Sequence, residues 1–410
     1  MTKPRALWGN ASALFAIQIA NYILPFLLIP YLTHTLGAHL YGVIAFGLAL
    51  TQIACIVTDY GFNLSATYQI AKNHNNKEKI REVYSAVLAC KLWLLIPVTA
   101  LLGAFIIIPS QYSEYRLYFS LLIIPIIGQT FQPIWVFQGI EKMSYITIYT
   151  VISRITYLAL VIILVKSPED HYWIALSQGA ANIAATAIGV FILAKMGYSP
   201  TIVGFKSIRA TFKDSTEFFW SRAAVATYTA GGAFFVGIIS TPLQVAYYSA
   251  AEQVYKGGQA LFSPLAQALY PYMAKNKNLP LFFNILKIVI TASFIGVTLG
   301  FSFGKIALTT LFGPSFTESY PILLIFLITL LINTPSIFIG YPFTGALGDS
   351  KSVNTSVFYG GAIQVFLLGI CYTLQYSQGI YVAITVLVAE FVVLALRIRA
   401  AKKIYSLATS

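Results

Sequence analysis

The chain has 410 residues, 58% of them apolar and only 10% charged, with 26 Lys/Arg against 13 Asp/Glu and a net charge of +13. Soluble domains carry roughly 25% charged residues, so a water-soluble globule, a secreted disulfide scaffold and a disordered chain are all excluded. The mean hydropathy of +0.76 agrees. A basic excess of this size would suggest nucleic acid in a soluble protein, but here the charges must first be placed relative to the apolar runs. Cys55, Cys90 and Cys371 lie within such runs and form no CxxC pair. The four histidines are scattered, so neither a disulfide framework nor a metal site is expected.

A bilayer core of roughly 30 Å needs about 20 apolar residues in a helix. Runs of that length recur along the whole chain, at about 11–33, 41–71, 83–108, 117–138, 145–165, 173–195, 218–240, 246–273, 284–304, 319–341, 353–375 and 379–400. The reading is therefore an all-α integral membrane protein of twelve transmembrane helices. The first run is too long for a signal-peptide core, contains Gln18, Asn21 and Pro25, and has no small-residue cleavage site behind it. Alternating ten-residue strands of an outer-membrane barrel are not seen.

Basic flanks stay on the cytoplasmic side of a membrane. With the N-terminus inside, 18 Lys/Arg fall in inner segments, three (Arg116, Lys166 and Lys305) in outer loops and five within spans. Both termini are thus expected in the cytoplasm.

The chain also repeats weakly at half its length. Ala71-Lys72-Asn73 returns as Ala274-Lys275-Asn276, and Gln138-Gly139-Ile140-Glu141-Lys142 is matched by Gly345-Ala346-Leu347-Gly348-Asp349. Six spans per half is an even number, which makes the halves parallel repeats of the kind found in secondary transporters. The expected organisation is an N-terminal lobe of six helices over 1–196, a cytoplasmic linker over 197–217 and a C-terminal lobe of six helices over 218–410.

Charges near the bilayer centre cost about 2.5–3.5 kcal/mol each on insertion scales and so face a cavity or a partner. Five basic residues, Lys91, Arg154, Arg222, Lys256 and Lys287, and three acidic ones, Asp59, Glu252 and Glu390, lie within spans. Lys287 and Arg222 are within a turn or so of inner ends, where long side chains can snorkel. Arg154 and Lys256 are nine or ten residues deep, which at about 1.5 Å per residue is near mid-bilayer. Lys91 is intermediate. Glu252 and Lys256 are spaced for an internal ion pair, and a structural pair and a ligand-facing lysine both remain open. Asp59 has the same two readings. The surplus of positive charge suits an anion, and a guanidinium can grip a phosphate with two parallel hydrogen bonds. Arg154 is the leading candidate, with Lys256, Lys91 and Arg222 behind it. The acids are candidates for ion coupling or structural pairing, by proton or sodium. On the first span Gln18 and Asn21 share one helical face with Pro25, a stripe that lines a hydrated cavity or glues helices together. No cofactor is called for.

Several stretches resemble a known family. Asp59-Tyr60-Gly61-Phe62-Asn63-Leu64-Ser65-Ala66-Thr67, followed by Ile70-Ala71-Lys72-Asn73, is similar to the second helix of bacterial O-antigen flippases. Pro133-Ile134-Trp135-Val136-Phe137-Gln138-Gly139-Ile140-Glu141-Lys142-Met143 resembles the end of their fourth. Leu36-Gly37, Tyr41-Gly42 and the stretch from Ser263 to Pro271 also fit. The resemblance is to the Wzx-type polysaccharide transporters of the multidrug/oligosaccharidyl-lipid/polysaccharide (MOP) exporter superfamily. It implies two six-helix lobes around a V-shaped central cavity with a basic lining. It also implies a cargo of oligosaccharide on undecaprenyl diphosphate, flipped from the cytoplasmic to the periplasmic leaflet of the bacterial inner membrane by alternating access. Arg154 stands where the family often has a basic residue, and Asn63 joins Gln18 and Asn21 as polar cavity lining. Expected partners are the lipid-linked glycan, the bilayer, and a polysaccharide polymerase and chain-length regulator, with no nucleic acid. Two alternatives remain: a multidrug or cation antiporter of the same superfamily, whose cargo would want an acidic lumen, and a membrane polymerase or ligase, for which the outer loops are short. The protein is not expected to be an enzyme.

Overall fold

The computed structural model describes the backbone of residues 4–108 and 110–409, and the side chains of 27–108, 110–219 and 231–406. Every regular element among them is helical. In chain order these are α1 (Pro4–Asp59), α2 (Phe62–Lys72), α3 (Lys77–Ile107), α4 (Arg116–Leu121), α5 (Ile123–Thr130), α6 (Ile134–Gly139) and α7 (Met143–Leu164). Then follow α8 (Tyr172–Lys195), α9 (Phe205–Ile239), α10 (Pro242–Asn276), α11 (Leu279–Phe312), α12 (Tyr320–Phe338), α13 (Ser350–Thr373) and α14 (Gly379–Thr409). Nine helical segments among the described residues are long and apolar enough to cross a membrane, from Leu27–Lys72 to Gly379–Ser406. The chain is a multi-pass helical membrane protein.

Nine among the described residues is fewer than the twelve spans expected. The first, seventh and eighth expected spans lie in α1, α9 and α10, which are helical along those lengths. On α10 the run of Gln244, Glu252, Gln253, Lys256 and Gln259 lowers the hydropathy, while much of the other two falls among residues whose side chains are not described.

The breaks have local causes. α1 bends at Gly37, whose φ of 77° is open to glycine and strained for other residues. Between α1 and α2, Tyr60 and Gly61 both take positive φ, and a Cβ at Gly61 would lie 2.8 Å from the Cβ of Phe218. The expected fourth span is cut into α4, α5 and α6. The last cut is at Gln132-Pro133, where proline has no N–H to continue the ladder. By contrast Pro97 and Pro264 sit inside unbroken helices.

The chain divides into two compact units. Unit 1 comprises Met1–Leu36 and Gly47–Ala223, and unit 2 comprises Gly37–Phe46 and Ala224–Ser410. In unit 1, α8 packs on α5 and α7. Glycines permit the close approach: a Cβ at Gly128 would come within 2.8 Å of the Asn182 Cβ. The core is built from Phe62, Tyr84, Trp135, Phe137 and Tyr149, all fully buried. The start of α9 belongs here too, with Tyr60 stacked on Phe219 at 4.5 Å and Ser65 hydrogen-bonded to Ser215 at 2.6 Å. In unit 2, α14 lies against α12 and α13, and α12 against α10 and α11. Gly37–Phe46 joins it through Gly42, which abuts Pro242, and through Phe46 stacked on Phe234.

The repeated stretches adopt the same turns. Lys142 N–H bonds the Phe137 carbonyl and Glu141 N–H that of Gln138. Asp349 N–H bonds Thr344 and Gly348 N–H Gly345 in the same way. Glu141 and Gly348 both take positive φ, at 58° and 109°, the left-handed C-cap of a helix end. The next helices begin at Met143 and Ser350, 207 residues apart, as do α8 and α14 at Tyr172 and Gly379. Asn76 and Asn278 likewise cap α3 and α11, each accepting from the backbone N–H three residues on, at 3.0 and 3.1 Å. At the start of α13, hydrogen bonds from Ser352 hold the Asp349 carboxyl below the usual aspartate range.

Candidate functional site

The intramembrane charges fall into separate environments. In unit 1, Lys91 on α3 is 3% exposed. Its ammonium donates to the Thr130 carbonyl at 2.8 Å, lies 3.8 Å from the Asp59 carboxylate and sits 4.4 Å from the centre of the Trp135 ring. The position follows from the helix breaks. Asp59 ends α1 and Thr130 ends α5, so two helix ends meet one cation, the first through the Asp59 carboxylate and the second through the Thr130 carbonyl left over by the break. Thr58 and Thr130 hydroxyls bond across the same point at 2.9 Å. Lys91 is therefore held inside unit 1.

Arg154, on the middle of α7, is exposed, with the buried Tyr157 one turn further on and within electrostatic reach of its guanidinium. Asn63, in the first turn of α2, has a buried side-chain oxygen with no hydrogen-bond partner among the described residues. Gln18, Asn21 and Arg222 lie outside the residues whose side chains are described.

In unit 2, Lys256 and Glu252 form the ion pair that their spacing permits, at 2.8 Å on one face of α10. The lysine side chain is 37% exposed and the carboxylate largely covered. Glu390 on α14 is 2% exposed. It accepts from Asn333 Nδ2 at 2.6 Å and from the Tyr255 hydroxyl at 3.4 Å. Gln259 in turn donates to Tyr255 Oη and Asn333 Oδ1, both at 2.8 Å. Three helices, α10, α12 and α14, thus contribute to one buried polar network. Its members Tyr255, Gln259 and Asn333 escaped the sequence reading. Asn333 is a single polar residue in an apolar run, and for Tyr255 and Gln259 the only local signal is that they are four apart on the polar part of α10.

Arg397 was counted only as an inner-flank charge. Its guanidinium instead bonds the Ser336 carbonyl at 2.8 Å and the Ser356 hydroxyl at 3.2 Å, beside the break at Gly340 where α12 ends. No group of three or more His, Cys, Asp or Glu placed to hold a metal occurs among the described residues.

Comparison with known proteins bears on this arrangement. Residues 7–277 match a family described as polysaccharide biosynthesis protein. A protein of Escherichia coli (strain K12) named "Putative O-antigen transporter" is 30% identical over 271 residues, 66% of this chain and 65% of its own length. That span is just under two thirds of the relative. A protein of the same name from Shigella dysenteriae is 32% identical over 271 residues, 65% of this chain and 67% of its own. Among solved structures, the inward-facing conformation of a multidrug resistance MATE family transporter of the MOP superfamily superposes with a TM-score of 0.74. It is 12% identical, and 96% of each chain is covered. That likeness is one of fold.

Proposed function

This chain belongs to the polysaccharide biosynthesis protein family, and from that premise we propose that it is a flippase for lipid-linked oligosaccharide in the bacterial inner membrane. The observation that carries the reading is the 30–32% identity to two proteins named as O-antigen transporters. The cargo is a repeat unit of O-antigen or a related surface polysaccharide on undecaprenyl diphosphate, moved from the cytoplasmic to the periplasmic leaflet by alternating access of the two halves, both termini cytoplasmic.

Arg154 is the primary contact for the diphosphate. A guanidinium offers a planar fork matched to phosphate oxygens and stays charged at any physiological pH. Lys256 assists, and moves between its carboxylate partner Glu252 and the cargo. Lys91 supports the site from inside unit 1, since its donors are already committed to Thr130 and Asp59. A dianionic cargo leaving an inside-negative cell is driven outward by about 2.3 kcal/mol per charge per 100 mV.

Glu390 is the coupling group. Glu390 is buried and held by hydrogen bonds from Asn333 and Tyr255, which can re-form around a proton or a small cation. Glu390→Gln keeps an oxygen for Asn333 and Tyr255 but takes up neither. The variant in proteoliposomes is expected to lose its response to an imposed proton or sodium gradient while remaining folded. A response equal to the wild type would remove Glu390 from the coupling role.

The reading as a whole is tested by deleting the gene. Lipid-linked sugar is expected to accumulate on the cytoplasmic face of the membrane, where periplasmic glycan-modifying enzymes cannot reach it. Its unhindered appearance outside would overturn the assignment.

A further inference from the structure

The corresponding span is interrupted at the corresponding place in each half. The expected fourth span stops at Gln132-Pro133, between α5 and α6. The expected tenth stops at Ile339-Gly340, where α12 gives way to a π-helical segment, Ile339–Gly345. Pro133 and Gly340 are 207 residues apart, the offset that also relates Met143 to Ser350. Proline ends the ladder in one half by lacking an N–H. In the other, Gly340 leaves the helical region with φ −61° and ψ −115°. The break itself, rather than either residue, is what the two halves share. Irregular backbone inside a membrane span is tolerated only where protein buries it or it lines a cavity, and π-helical turns are frequent at functional sites.

Each break is also met by a cation from another helix. In unit 1 the Lys91 ammonium on α3 donates to the Thr130 carbonyl, two residues before Gln132, at 2.8 Å. In unit 2 Arg397 on α14 donates through Nη1 to the Ser336 carbonyl at 2.8 Å and its hydroxyl at 3.1 Å, four residues before Gly340. Its Nε donates to the Ser356 hydroxyl on α13 at 3.2 Å. The guanidinium lies against the break, since a Cβ at Gly340 would be 3.1 Å from its Cζ. The two cations do not occupy matching positions. Lys91 falls opposite Ser293, whose hydroxyl meets that of Thr334 on α12 at 3.2 Å, and Arg397 falls opposite Val190. Each half thus brings a cation to its break from a different helix. Beyond the break in unit 2, the Tyr341 hydroxyl donates to Asn354 on α13 at 2.6 Å, and the Phe343 ring packs on Phe282 of α11 at 4.6 Å.

We propose that the break at Gly340 is a hinge for the inner end of the tenth span during transport, and that Arg397 is the positioning residue that sets its angle. A hinge needs only a few backbone angles to change while the packed elements on either side stay intact. The guanidinium bonds α12 before the break and α13 after it through separate N–H groups in one rigid plane, so it fixes a direction between them. An ammonium would supply the charge without that geometry. The inference rests on the alternating-access reading and adds to it the point about which one inner helix end turns.

The test uses the full chain in lipid nanodiscs, with Cys55, Cys90 and Cys371 replaced by serine and spin labels on Lys275→Cys and Lys351→Cys. These exposed positions mark the inner end of α10 and the first turn of α13. Electron–electron double resonance is expected to give one narrow distance distribution when Arg397 is present. Arg397→Met is expected to broaden or shift it, and to lower surface polysaccharide in a deletion strain about tenfold, as hydrogen bonds from a charged donor are lost. Arg397→Lys is expected to keep a broadened distribution and to restore part of the export. A merely structural role predicts a lower melting temperature with the distribution of the folded protein still narrow, and that result overturns the hinge. Wild-type export beside a broadened distribution overturns it as well. If Arg397→Met does not accumulate, Arg397→Lys decides by the same readouts, and a narrow distribution there overturns the proposal. The distances need no cargo, so they decide the hinge even where the deletion strain retains no lipid-linked sugar and the flippase reading falls.

Discussion

Replacing Arg154 by alanine is expected to lower surface polysaccharide in a deletion strain by about 100-fold or more, with the variant still present in the membrane. Truncating one side of a desolvated charge pair costs about 2–5 kcal/mol, and each 1.4 kcal/mol is roughly tenfold in affinity. The diphosphate is the one part of the cargo common to every repeat unit, so its loss cannot be compensated by sugar contacts. Arg154→Lys is expected to retain part of the export, because an ammonium supplies the charge but not the two-pronged geometry. Immunoblotting of surface polysaccharide, beside quantitation of the transporter itself, checks both. Normal export by the alanine variant would sink the role given to Arg154. Since α7 is regular around this position and the side chain is exposed, the substitution leaves no cavity, and a folding defect is not expected to confuse the result.

The second large effect is expected at Lys91, and of a different kind. Lys91→Met takes the ammonium from beside the Asp59 carboxylate and removes the donor that satisfies the Thr130 carbonyl. Breaking a buried pair by removing one partner costs about 3–5 kcal/mol, so the purified variant is expected to melt about 10 °C below the wild type. Asp59→Asn added to Lys91→Met removes the carboxylate charge facing the lost ammonium, and the double variant is expected to recover more than half of the loss. A double variant no more stable than Lys91→Met would mean that the ion pair is not what holds this point. The expectation draws on the convergence of two interrupted helices, whose ends at Asp59 and Thr130 both meet the ammonium, one through its carboxylate and the other through its carbonyl.

Much of this was legible in the sequence because membrane insertion acts on sums. Apolar runs of fixed length, basic flanks and a repeat near half-length all survive uncertainty in single residues, and they yielded the helical membrane class. Local spacing was legible too. The separation of Glu252 and Lys256 is a property of one helix, and the pair is there. Pairings between helices were not accessible. Nothing in the neighbourhood of Glu390 indicates Asn333, 57 residues earlier, or Tyr255, 135 earlier. The same holds for Lys91, whose depth in its span fits a cavity wall as well as an interior. Only the breaks at Tyr60-Gly61 and Gln132-Pro133, which bring carbonyl ends toward it, distinguish the two. Arg397 was misleading in the opposite sense. Its place near an inner helix end satisfied the topology count completely, and the count has no means of showing that the guanidinium ties α12 to α13.

The paired turns ending at Lys142 and Asp349 allow the two halves to be aligned residue for residue where the helix starts agree. On the 207-residue offset, Arg154 falls opposite Gly361 and Glu390 opposite Ile183. On the 202-residue offset of Asn76 and Asn278, Lys91 falls opposite Ser293. The turns and helix starts recur, yet none of these three charges has a charged residue at the matching position of the other half. Arg154 and Lys91 thus lie on one half and Glu390 on the other, at positions where the repeated turns have no charge to match.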